Sequence, residues 1–191
     1  MEDDKKEVAI DVGGGEGEFF LRLAKENPGK TFVVLDSVAK KIMGAPENLH
    51  FVRWRVNAES MLPFLPEKID EAHINFLLGE IKEGKKVEDG QEIDCVEDQT
   101  GQYQKLLKDL KGVLKPGATL HITDVKDCIA IIQQLLKDEG YRLVHEPRKV
   151  TDEDKTFFTQ YFFRAFRRAG RSEEESHILP MEIEARWEGK K

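Results

Sequence analysis

Residues 11–17 read Asp11-Val12-Gly13-Gly14-Gly15-Glu16-Gly17, directly after the apolar run Val8-Ala9-Ile10 and before Phe19-Phe20-Leu21. The pattern predicts a buried strand that turns through alternate glycines into a helix. Such a turn offers backbone N–H groups and a helix amino end to a ligand, which is the chemistry of a nucleotide-type cofactor cradle. A side chain at Gly13, Gly15 or Gly17 would demand a positive φ or hold the backbone off the ligand. The spacing excludes the dinucleotide pattern Gly-x-Gly-x-x-Gly, because counting from Gly13 puts Glu18 at its last position and counting from Gly15 puts Phe20 there. An Asp-x-Gly-x-Gly-x-Gly signature is what remains.

The elements that must position this turn follow from periodicity and breakers. Phe19 to Asn27 reads as a helix closed by Pro28-Gly29, Thr31 to Asp36 as a buried strand, Ser37 to Met43 as a helix and Leu49 to Trp54 as a third strand. A short helix near Ala58 to Leu62 precedes a strand from Ile69 to Phe76. Leu77 to Asp98 is rich in Gly, Lys, Glu and Asp, and is expected to form a mobile active-site loop. Then come a helix over Gln102 to Leu114, the break Lys115-Pro116-Gly117, a strand over Thr119 to Thr123, a helix over Lys126 to Glu139 and a strand over Tyr141 to His145. Aromatic residues from Phe157 to Phe166 recur at helical spacing, and Ile178 to Trp187 alternates as an antiparallel strand would. This alternation predicts an α/β fold: a doubly wound, mostly parallel seven-stranded sheet with an antiparallel C-terminal strand.

A chain of 191 residues with 39% hydrophobic content fits one domain spanning residues 1–191. The net charge of −7 argues against broad contact with nucleic-acid phosphates. Cys95 and Cys128 have no paired or metal-like spacing, so neither a disulfide framework nor a metal site is expected. His50, His73 and His121 fall inside predicted strands without a partner at ligand spacing. No apolar stretch approaches the roughly 20 residues that span a bilayer, and the charged start is unlike a secretory signal. A soluble, cytoplasmic protein is expected; oligomeric state is not readable.

The glycine signature resembles motif I of the class I S-adenosylmethionine-dependent methyltransferases, a Rossmann-like family, and implies S-adenosylmethionine as cofactor. In that frame Asp11 suits the ligand's ammonium, the Gly15 to Gly17 amides its carboxylate, Asp36 the two ribose hydroxyls and Asn57 the adenine edge. Asp36 also reads as a turn former, and Asn57 as a plain helix start. Asn75 and Asp124, at strand ends, are candidates for orienting a methyl acceptor, with Glu80 a third. Asn75 otherwise satisfies backbone, and Asp124 otherwise caps the next helix. Arg164, Arg167, Arg168 and Arg171 form either an anionic-substrate contact or a solvated face.

From the third strand onward the likeness narrows. Arg55-Val56-Asn57-Ala58-Glu59-Ser60-Met61-Leu62-Pro63-Phe64-Leu65, Ile69-Asp70-Glu71-Ala72-His73-Ile74-Asn75-Phe76 and Leu114-Lys115-Pro116-Gly117-Ala118-Thr119-Leu120-His121-Ile122-Thr123-Asp124 resemble the tRNA (guanine-N(7)-)-methyltransferases. The resemblance implies Asp11, Asp36 and Asn57 as cofactor contacts and Asp124 as a substrate contact. The chain departs from that family after the fourth strand, where Leu77-Leu78-Gly79-Glu80-Ile81-Lys82 stands in place of Pro-Asp-Pro-Trp. Expected functions are therefore methyl transfer to RNA, methyl transfer to a small molecule or protein, or cofactor binding without turnover. The glycine count disfavours a nicotinamide oxidoreductase.

Overall fold

The computed structural model describes residues 6–54, 62, 68–75, 85–88, 91–94, 96–150 and 180–189. The strands are β1 (Val8–Val12), β2 (Thr31–Asp36), β3 (Leu49–Arg53), β4 (Ile69–Asn75), β5 (Lys85–Glu88), β6 (Gln91–Asp94), β7 (Leu114–Val125), β8 (Arg142–Leu143), β9 (Arg148–Lys149) and β10 (Pro180–Arg186). The helices are α1 (Glu18–Glu26), α2 (Val96–Val113) and α3 (Lys126–Asp138). β1 is flanked in parallel by β2 and β4, and the sheet runs β3-β2-β1-β4-β7-β10-β8. Among the described strands of this sheet β10 runs against the others, pairing antiparallel with β7, β8 and β9, so the sheet is mostly parallel and changes winding direction between β1 and β4.

Strand alternation divides the side chains between two faces. Asp11 is in register with His73, and His73 with His121, so Asp11, Glu71, His73, Asn75, His121 and Thr123 share one face. α1 packs there, its Phe20 ring lying 5.1 Å from Phe32 and 5.3 Å from His73. Ile10, Val33, Ile74, Ile122 and Ile183 alternate to the other face and join the core that also buries Leu107, Leu110 and Ile132. Among the described residues no helix is long and apolar enough to cross a membrane.

Four expectations are corrected. Residues 37–43 are not helical: Asp36 Oδ1 accepts the Val38 N–H at 2.9 Å and the Asp36 carbonyl accepts the Ala39 N–H at 3.3 Å, closing a turn before a helix can start. Asn48 then ties this connection down, the two hydrogens of its Nδ2 being shared among the Ala24, Asn27 and Lys30 carbonyls at 2.8–3.1 Å. Part of the stretch expected as a loop is regular, because β5 and β6 pair as an antiparallel hairpin and α2 begins at Val96. The Lys115-Pro116-Gly117 break lies inside a continuous β7 as a bulge: Ile69 faces Leu114 while Glu71 already faces Thr119. The strand expected at 141–145 is interrupted. Leu143 pairs with Ala185 and Arg148 with Glu182, leaving extra residues between β8 and β9 around Pro147, which has no N–H for the ladder. Among the described residues the main sheet thus keeps the seven expected strand positions, the edge one split into β8 and β9, both paired with β10.

Candidate functional site

The turn after β1 is built from its own amides. The Gly13 N–H donates to the Leu35 carbonyl at 2.8 Å, and the Gly17 N–H to the Gly14 carbonyl at 2.9 Å. Gly13, Gly15 and Gly17 all take positive φ, at 77°, 57° and 79°. Space is as restrictive as conformation at Gly17, where a Cβ would sit 2.7 Å from the Phe51 ring and 2.9 Å from Val34. Gly14, which the alternate-glycine reading passed over, is needed for a different reason. A Cβ there would lie 2.5 Å from Asp11 Oδ2, so the bare backbone at Gly14 is what makes room for that carboxylate. α1 starts from Gly17 without a side-chain cap, leaving its amino end directed into this turn.

Asp11 is 1% exposed, at the carboxyl end of β1. Its side-chain partner is Asn75, whose Nδ2 donates to Oδ1 at a long 3.4 Å. Burial pushes the Asp11 carboxyl up to about 7; the Asn75 hydrogen bond opposes this and the charge of Asp36 adds to it. A buried acid poised near neutrality beside a glycine turn fits a cationic ligand group. The residues present therefore fit an amino-acid-bearing nucleoside cofactor at this crossover.

Asp36, one strand over, accepts the Gly15 N–H on Oδ2 at 2.8 Å and the Val38 N–H on Oδ1 at 2.9 Å. It is thus a turn former and also the link between the two loops at the carboxyl edge. Asp11, Gly13, Gly15, Gly17, Asp36 and Asn75 come together at this end of the sheet. Asp124 does not join them. Thr123 is the in-register partner of Asn75, so the next residue, Asp124, alternates to the opposite face and is 0% exposed there. Its charge, after burial, helps push the Tyr103 phenol of α2 well above the ordinary range. Asn57, Glu80, Cys95, Arg164, Arg167, Arg168 and Arg171 lie outside the described residues.

The reading of His73 and His121 as isolated strand residues is corrected. On the Asp11 face, Glu71, His73 and His121 bring one donor atom each to within 4.8 Å of one another. Burial raises the Glu71 carboxyl, but His73 and Lys30 outweigh it and hold the group well below the usual range. Burial first, and His73 second, lower His121 to about 4. No sequence spacing could show this, because the three residues meet through strand register. At the β3 edge, a cavity of about 550 Å³ is lined by Lys40, Lys41, His50 and Arg53 together with Glu47 and apolar residues.

A family model described as "Methyltransferase domain" matches residues 3–170. A tRNA (guanine-N(7)-)-methyltransferase of Lachnoclostridium phytofermentans is 30% identical over 78 residues, a segment spanning 36% of this chain and 36% of that protein. Among solved structures, a SAM-dependent methyltransferase from Methanosarcina mazei aligns with a TM-score of 0.60 at 15% identity, covering 97% of this chain and 94% of that one. The (4+2)-cyclase SpnF aligns with a TM-score of 0.63 at 17% identity, covering 97% of this chain and 76% of its own. At such identities the structural likeness concerns the fold, which is Rossmann-like.

Proposed function

The chain belongs to the methyltransferase domain family, and from that premise we propose that it transfers the methyl group of S-adenosylmethionine to a base of RNA. The observation that carries the donor half is the buried, weakly partnered Asp11 beside the glycine turn. Bound at this crossover, the cofactor supplies an electrophilic methyl on a sulfonium. Asp11 would take the donor's ammonium, whose positive charge would favour its ionised form. The glycine turn and the α1 amino end receive its carboxylate. Asp36 would hold the two ribose hydroxyls, and Asn57 is assigned to the adenine edge.

Displacement at a sulfonium methyl is in line, so holding the acceptor in position supplies much of the rate and no nucleophilic side chain is needed. Asn75 suits that task, being buried at the end of β4 next to Asp11. Asp124, on the other face, is better suited to the α2 core. Two features favour RNA as acceptor: the local likeness to a tRNA methyltransferase, and the cations at the β3 edge one strand from Asp36. Arg164 and Arg168 are assigned to the same anionic substrate. The net charge of −7 favours the second reading, a small-molecule acceptor. Incubating the protein and radiolabelled S-adenosylmethionine with cell extract tests both readings. Label lost on nuclease treatment supports RNA. Label in a nuclease-resistant small fraction supports the second reading, and label in protease-sensitive material or nowhere refutes both.

A further inference from the structure

We propose that Glu71, His73 and His121 form a site for one divalent transition-metal ion of the zinc class, clasping β4 to β7. The arrangement is fixed by backbone. His73 and His121 are in-register partners on neighbouring strands, and Glu71 precedes His73 by one alternation on the same face. Their rings stack at 4.7 Å with 20° between planes, and both Nε2 atoms face one carboxylate oxygen: Glu71 Oε1 is 2.5 Å from His73 and 3.6 Å from His121.

The Glu71 oxygen lies against two imidazole nitrogens, each of which either donates a neutral N–H to it or, as a bare nitrogen, joins it as a ligand of one shared metal ion. Tetrahedral ligands of zinc stand about 3.4 Å apart, so donor atoms that all lie within 4.8 Å of one another need only a small turn of the rings. The donor set selects the metal class, since two imidazoles and a carboxylate suit zinc-like ions whereas magnesium and calcium favour all-oxygen shells.

Outer contacts hold the ligands ready. Lys30 bonds the other Glu71 oxygen, which orients Oε1 toward the rings. Phe19 and Phe20 of α1 pack on His73, each with ring centroids 5.3 Å away. The His121 side chain stays 38% exposed, giving an ion a way in. Three protein ligands leave a coordination position open. The cluster stands on its own residues and does not depend on the methyl-donor reading.

The full chain, stripped with chelator, is titrated with Zn²⁺ by calorimetry and with Co²⁺ by visible absorption. One equivalent should bind with a rise in Tm, and Co²⁺ should give the d–d bands of a tetrahedral N/O site. In parallel, histidine ring NMR of the unaltered protein should show two of the five imidazoles shifting at one equivalent of Zn²⁺. E71Q and H121Q, checked for fold by circular dichroism, should each weaken binding ~10-fold or more. No saturable binding, undiminished affinity in both folded variants, a cysteine-to-cobalt charge-transfer band or shifts in other histidines would overturn the site.

Discussion

Two carboxylates on the same face of the sheet, on neighbouring strands, meet opposite fates. Asp11 on β1 is fully buried, its side-chain hydrogen bond among the described residues being the long 3.4 Å one from Asn75, and its pKa rises to about 7. Glu71 on β4 is partly buried, but His73 and Lys30 surround it and its pKa falls. Desolvation acts on both; at Glu71 the Lys30 ammonium and the His73 hydrogen bond offset it. The contrast separates a group that waits for its positive partner from one that already has partners. On the reading proposed above, Asp11 marks the ligand end of the face, while Glu71 belongs to a separate polar cluster.

The largest expected effect comes from breaking the turn that gives Asp11 its setting. Gly17→Ala forces a left-handed alanine into the Phe51 ring, and should cost about 3 kcal/mol by urea denaturation. Donor binding should be lost with it; unchanged stability would mean the turn is looser than its contacts imply. Asp36→Ala tests the ligand end by removing the ribose acceptor together with a charge that adds to the Asp11 shift. S-adenosylhomocysteine affinity measured by calorimetry should fall about 100-fold, the worth of two hydrogen bonds to a charged acceptor, with the circular dichroism spectrum retained.

Asp11→Asn sharpens the contrast through pH. A carboxyl with a raised native pKa binds its proton more tightly folded than unfolded, so this group's contribution falls as pH rises from about 4 to about 7. Ligand-free Tm at pH 8 should be higher in Asp11→Asn than in the parent, with the gap closing at pH 4. S-adenosylhomocysteine should release a proton on binding the parent near pH 7 and none on binding the variant. The smallest effect is expected at the other cluster: Lys30→Met removes one Glu71 partner and should cost about 1 kcal/mol, with donor affinity changed less than twofold. A large loss of donor affinity there would mean that the two clusters act as one.

The central parallel strands were legible because each is a local apolar run bounded by a turn residue, as in Thr31 to Asp36, which is β2 to the residue. The ends of the chain's connections were less so. Ser37 to Met43 has helical composition, yet one carboxylate oxygen on Asp36 redirects the backbone. Lys115-Pro116-Gly117 carries a break that a neighbouring strand absorbs as a bulge.

By itself the sequence determined the glycine turn, its positive-φ positions and the acids at two strand ends, since these depend on residues adjacent in the chain and on backbone sterics. Tertiary structure alone decided that Asn75 reaches Asp11, that Asp124 turns to the opposite face, and that Glu71, His73 and His121 meet. Those facts depend on register between strands separated by dozens of residues, and a one-residue shift of pairing would reverse every one of them.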